Sequence, residues 1–228
     1  IRALLLVDVD AGIVTSTIAV DQEVAHMVAL AADGGRAFVA NIGSGTASVV
    51  DLKAGRKIRD LTSGDGTEGI AIARQGAELW LTNREEGSLR VFSAAALQEL
   101  ATIDLPGFPI RAEADDPRGL LYVTLPKDDA LAVVDVARRA ERSRIEVDIP
   151  PDPQRKSLFG DRVPNSSIPV GVLLSGDGST LYIAHTSANV VSVYDAPTLR
   201  RRALLQTDLE PDGMAWSPVA VRRGESAE

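Results

Sequence analysis

Few side chains in this sequence could do chemistry, and they lie far apart along it. The two histidines are His26 and His185. His26 stands 42 residues before Glu68, and Asp212 stands 42 residues after Val170. An imidazole and two carboxylates at one concave place could bind a cation or act as general acid and base. Two carboxylates held close would also favour a bound cation or a raised carboxyl pKa. Asn41, Asn83 and His185 form a second set, each closing a short apolar run. The candidate ligand-binding residues are therefore His26, Glu68, Asp212, His185, Asn41 and Asn83. None is assigned a catalytic role. No local spacing specifies a metal, so octahedral or tetrahedral ligation would need waters, and no cofactor is expected.

Other motifs lose their chemical meaning in context. Gly64-Asp65-Gly66-Thr67-Glu68-Gly69 matches G-x-G-x-x-G, but a dinucleotide fingerprint must open a helix, and here a β-type run follows. The nucleophile elbow G-x-S-x-G does not occur. With no cysteine, disulfides, thiolate zinc sites and cysteine nucleophiles are excluded. Asp8, Asp51, Asp135 and Asp195 recur at one position of a repeat, where an Asp accepts hydrogen bonds from its own turn.

The elements that must position these residues are strands of a repeat. Arg36-Ala37-Phe38-Val39-Ala40-Asn41 returns as Glu78-Leu79-Trp80-Leu81-Thr82-Asn83 after 42 residues and as Leu120-Leu121-Tyr122-Val123-Thr124-Leu125 after 42 more. Thr180-Leu181-Tyr182-Ile183-Ala184-His185 follows 60 further on, which is 42 plus an insertion of 18. A period of about 40 residues in short β-type runs marks a propeller blade. Each unit reads as four strands, a to d from the axis outwards. The a strands, at 27–31, 69–73, 111–114 and 171–174, are rich in small residues, as crowding at an axis requires. The c strands are nearly continuously apolar, as suits strands covered on both faces. The ends read as half units, with c and d strands at 4–8 and 13–20, an a strand at 212–216 and a poor b strand at 219–222. The expected architecture is all-β: a propeller of four full blades and a composite fifth from both termini, or part of a seven-bladed ring. It forms one domain, 1–228.

These residues resemble a family. Ala37-Phe38-Val39-Ala40-Asn41, Val50-Asp51-Leu52-Lys53-Ala54-Gly55 and Leu181-Tyr182-Ile183-Ala184-His185 are similar to the YVTN-type β-propeller repeat of bacterial proteins. So are His26-Met27-Val28-Ala29-Leu30 and Pro211-Asp212-Gly213-Met214-Ala215. The resemblance covers nearly all of the chain except 149–168. It implies a ring of about seven blades and export to the periplasm or cell surface. The family includes binding proteins, and related propellers include lactonases, lyases and cofactor-carrying dehydrogenases.

The 42-residue register assigns faces. Taking d–a and b–c connections as the top, His26, Glu68, Ile110, Val170 and Asp212 ring the mouth of the central channel. Asn41, Asn83, Leu125 and His185 lie further out on the same face. As rim residues they are expected to contribute little to stability. The insertion 149–168 joins strand d to strand a, so it also emerges on top, where a long loop can act as a lid or recognition element. Top connections are mainly acidic, among them Asp65, Glu85, Asp128 and Asp208, whereas Lys53, Arg56, Arg138 and Arg200 sit in the c–d turns below. No aromatics accompany those cations, so stacking for single strands is missing.

Bulk composition narrows the function. Net charge is −8, which opposes general duplex binding. No apolar run approaches the roughly 20 residues of a membrane span. The sequence starts at Ile1, as a processed, trimmed or partial chain would, and shows no signal peptide; a periplasmic or secreted location follows from the resemblance alone. The reading is a non-catalytic binding or scaffold propeller that takes a small ligand or partner protein on its top face. The alternatives are a lactonase- or lyase-type enzyme, with His26 and Glu68 or Asp212 as its acid–base pair, and a subunit docking a redox partner.

Overall fold

The computed structural model describes residues 2–147, 149–153 and 159–217. Among the described residues, eighteen strands carry the fold, with three short 3-10 turns between them. β1 (Ala3–Asp8) and β2 (Ile13–Ala19) pair with each other. Four antiparallel four-stranded blades follow in chain order. The first is β3 (Ala25–Leu30), β4 (Arg36–Asn41), β5 (Thr46–Asp51) and β6 (Arg56–Thr62). The second is β7 (Thr67–Ala73), β8 (Glu78–Asn83), β9 (Ser88–Ser93) and β10 (Glu99–Asp104). The third is β11 (Ala112–Asp115), β12 (Leu120–Leu125), β13 (Ala130–Asp135) and β14 (Ala140–Glu146). The fourth is β15 (Pro169–Leu174), β16 (Thr180–His185), β17 (Val190–Asp195) and β18 (Arg200–Gln206). This is the all-β blade architecture that the repeat implies.

The core lies between blades. Because side chains alternate across a strand, each blade offers one apolar set to each neighbour. Phe38, Val49 and Leu61 of the first blade meet Ile70, Leu79 and Leu81 of the second. Trp80, Leu89 and Val91 then meet Leu121, Val123 and Val134 of the third. Tyr122, Leu131 and Val133 meet Leu181, Ile183 and Tyr194 of the fourth.

Two devices recur at the top of the blades. Register shifts occur at the start of the inner strand, between Ala25 and Val28, Thr67 and Ile70, and Pro169 and Val172. Such bulges re-aim the side chains at the shift, which here include His26 and Glu68. In the second and third blades a threonine of strand b ties the start of the inner strand to the next blade. Thr82 Oγ1 accepts from Gly69 N–H at 2.8 Å and donates to the Ile110 carbonyl at 2.9 Å. Thr124 Oγ1 likewise accepts from Arg111 N–H at 3.2 Å and donates to the Val170 carbonyl at 2.8 Å.

The composite blade is not formed among the described residues. β1 and β2 make a sheet of their own and pack on the first blade through Ile18, Val20, Ala37 and Val39. Residues 212–217 are in no sheet; the Asp212 carbonyl lies against Gly171 of β15 and the Trp216 indole against Gly176. The two halves thus lie on opposite terminal blades, and no described strand bridges them. The b strand expected at 219–222 lies outside the described residues.

Candidate functional site

The first residues of the inner strands do meet. Glu68 is 4% exposed, and its carboxylate takes Arg111 Nη1 at 2.6 Å on Oε1 and Arg84 Nη1 on Oε2. His26 Nδ1 stands 4.0 Å from the same Oε1. Arg111 Nη2 continues to Asp212, 3.2 Å from Oδ1 and 3.5 Å from Oδ2. The row His26–Glu68–Arg111–Asp212 therefore crosses the mouth from the first blade to the C-terminal segment. The side chains of His26 and Asp212 are 39% and 47% exposed, whereas those of Glu68 and Arg111 are buried.

Arg111 changes the electrostatics anticipated for the mouth. Glu68 and Asp212 do not confront one another, because the Arg111 guanidinium lies between them and supplies the cation. Among the described residues, no group of three or more His, Asp or Glu side chains is placed to hold a metal ion. Glu68 is a buried ion-pair hub and not a rim group.

The other anticipated positions lie elsewhere. Ile110 and Val170 are buried with Phe108, Val163 and Ile168 in a small apolar cluster. Asn41, Asn83 and His185 are fully buried inside their blades. Asn41 Nδ2 donates to Ser48 Oγ at 3.0 Å, and Asn83 Nδ2 to Ser88 Oγ at 3.0 Å. His185 occupies the same repeat position, with Nδ1 2.9 Å from Ser167 Oγ and Nε2 2.7 Å from Ser192 Oγ. Ser167 Oγ donates to Asp129 Oδ1 at 2.8 Å, which leaves its lone pair for a His185 Nδ1–H. Nε2 then accepts from Ser192. Burial, together with the Arg201 charge, pushes the imidazole pKa down to about 3. All three bond their own blades instead of facing the mouth, because the strand-b terminus lies under the b–c connection.

The described part of the insertion covers one side of the mouth. Phe159 meets Phe108 edge-on at 5.2 Å. The Arg84 guanidinium lies 5.5 Å from the Phe108 ring and 5.6 Å from the Phe159 ring, a cation–π arrangement. Arg162 pairs with Glu85 at 2.7 Å. Phe108 holds φ at 67°, a strained value for an aromatic residue. Arg84, Arg111 and Phe108 were not singled out by spacing. A signal for Arg111 existed: it stands in a repeat column otherwise filled by Met27, Gly69, Gly171 and Gly213.

The inner strands line an open cavity of about 350 Å³ formed by Ala29, Ile70, Ala71, Ala112 and Glu113 among others. Burial raises the Glu113 pKa, against a lowering by the Leu174 N–H that its carboxylate accepts.

No family model matches the chain. Antigen Lp49 of Leptospira interrogans is 31% identical over 113 residues, which is 49% of this chain and 21% of that protein. The chain thus spans about a fifth of that relative's length. Among solved structures, hydrazine synthase of Kuenenia stuttgartiensis aligns at TM-score 0.62 and 18% identity, covering 93% of this chain and 82% of the other. The dihydro-heme d1 dehydrogenase NirN in complex with DHE aligns at 0.63 and 15%, covering 91% and 43%. A functionally unknown protein of Desulfotomaculum acetoxidans aligns at 0.73 and 11%, covering 95% and 66%. At such identities the likeness is one of fold, and the fold is a β-propeller.

Proposed function

We propose that this chain is a binding propeller of the YVTN type, folded as one domain, whose top-face mouth takes a small anionic ligand. One observation carries the reading. Arg111 is anchored from beneath by Glu68, while its outward nitrogen, Nη2, is met among the described residues by half-exposed Asp212 alone, at 3.2 and 3.5 Å. Asp212 sits on a segment that pairs with no strand among the described residues. An incoming carboxylate would replace Asp212 on the guanidinium fork, a geometry that arginine suits. His26 and the Phe108–Phe159 pair flank that place. The NirN structure, solved in complex with DHE, supports the ligand-binding reading; the periplasmic or secreted location proposed with it rests on the resemblance to the YVTN-type repeat.

Binding fits the mouth better than acid–base catalysis does. Both Glu68 oxygens are already engaged by arginines, and His26 lies 4.0 Å from the carboxylate, so neither is poised as a free proton donor or acceptor.

The test is calorimetric titration of wild type, Asp212→Ala and Arg111→Lys with citrate, benzoate and inorganic phosphate. Removing Asp212 frees Nη2 and should tighten anion binding, by about tenfold if one charge-assisted bond is gained. Arg111→Lys loses the fork and should weaken it. Equal affinities in all three proteins would dismiss the mouth as the binding place.

A further inference from the structure

The inner strands β3, β7 and β11 lie at the edges of their sheets. An edge strand leaves backbone N–H and C=O groups outside the ladder, and these edges line the open cavity of about 350 Å³. Among the described residues that line it, Glu113 alone is ionisable. The repeat does not call for a carboxylate there, since Ala29, Ala71 and Leu173 hold the same position in the other blades. Glu113 Oε1 accepts from Leu174 N–H at 3.2 Å. Leu174 lies on β15, which pairs with β16 alone among the described strands, so the carboxylate sits at the inner edge of the fourth blade. The fold does not neutralise it. Burial raises its pKa, the Leu174 N–H lowers it, and Asp115, a group of like charge, raises it again. Among the described residues no Lys, Arg or His forms an ion pair with it.

We propose that this cavity takes a small organic ammonium ligand, its N–H groups shared between the Glu113 carboxylate and the carbonyls of the inner-strand edges, and its hydrocarbon body lying against Ile70 and Ile72. Glu113 sets the sign of the ligand, because an anion would meet an uncompensated carboxylate. A primary ammonium has three donors and no acceptor, which suits one carboxylate surrounded by carbonyls. A divalent metal ion suits the place less well. It wants several oxygen ligands close about it, and among the described residues no group of three or more His, Asp or Glu side chains is placed to hold one. The volume is that of a site for a small molecule. Capping Leu174 N–H does not by itself account for Glu113, since a neutral glutamine would accept that bond as well. The inference goes beyond the anion reading of the mouth and stands without it, since it uses none of the mouth residues.

The test is a titration of the ¹⁵N-labelled chain at pH 8 with phenethylamine, n-butylamine, n-butanol and calcium chloride, followed by NMR. Both amines should shift the Leu174 and Glu113 amide resonances, and butanol and calcium should not. Glu113→Gln keeps an acceptor for Leu174 N–H and should weaken amine binding by about tenfold or more, the loss of one charge-assisted bond. Citrate, titrated separately, reports on the mouth alone, so either reading can fail while the other stands. The proposal is overturned if the amines leave Leu174 and Glu113 unshifted in the wild type, a result that needs no variant to fold. It is equally overturned if Glu113→Gln binds the amines as tightly as wild type does, or if butanol or calcium shifts the same resonances at the same concentrations.

Discussion

At the scale of the residue, His185 and Glu68 are both buried, and opposite chemistry holds them. His185 is neutral, with Nδ1–H given to Ser167 and Nε2 accepting from Ser192. Its pKa falls from 6.5 to about 3 in the folded chain. The unfolded chain therefore binds an extra proton below pH 6.5, and this group destabilises the fold progressively from there down to about 3. The loss should be about 1.4 kcal/mol per pH unit. His185→Asn places at this position the residue that Asn41 and Asn83 already supply, so it should fold and lose that part of the acid dependence. Urea melts of both proteins at pH 7 and pH 5 measure the difference, about 2 kcal/mol. Glu68 is held between two arginines. Glu68→Ala strands Arg84 and Arg111 in a buried place and should cost about 3 kcal/mol, lowering Tm by roughly 6–12 °C. His26→Ala, at a half-exposed imidazole, should leave Tm within about 2 °C. A scanning calorimeter distinguishes the two; an unchanged Tm in Glu68→Ala would return this residue to the solvated rim.

At the scale of the element, the bulged inner strand is the unit that builds the mouth. In the second and fourth blades it needs glycine where a neighbouring backbone crosses it. A Cβ at Gly69 would run into the Ile110 carbonyl, and one at Gly171 into the Asp212 carbonyl. Neither clash can be relieved by a side-chain rotation, because the obstacle is backbone. Gly69→Ala should therefore cost about 1–3 kcal/mol through displacement of the third blade's first strand, while Gly213→Ala, with open space around it, should cost under 1. Thr82→Val removes the bond pair that clamps the same crossing and should add about 1–2 kcal/mol of destabilisation. Denaturant midpoints at constant m-value report all three; a silent Gly69→Ala would show that the crossing is looser than drawn.

At the scale of the molecule, stability is distributed as in a stack, since each blade touches mainly its neighbours. The second and third blades are covered on both faces. The terminal elements are covered on one: Leu5, Val7, Ile13 and Val14 of β1 and β2 are exposed, as are Leu204 and Leu205 of β18. Native-state hydrogen exchange should therefore be slowest in β8, β12 and β13 and fastest in β1, β2 and β18. Uniform protection across the described blades would overturn this ordering.

The sequence alone determined the blades. A 42-residue period of strand-length apolar runs leaves one way to bury every strand, which is to stack them as four-stranded sheets, and it placed His26, Glu68 and Asp212 at equivalent positions of different units. That much is local chemistry repeated, so it is legible along the chain. What surrounds those side chains is not local. Arg111 comes between Glu68 and Asp212 because Thr124 holds its N–H and a bulge turns the neighbouring strand, a convergence of residues 43 and 101 positions apart. Burial of Asn41, Asn83 and His185 follows from which neighbour covers the end of strand b, which repeat position does not state. The split of the composite blade is decided last, by how the arc ends: 212–217 lies on the fourth blade and β1–β2 on the first. Only the summed rotation of the blades fixes the distance between those ends, and no single repeat encodes a sum.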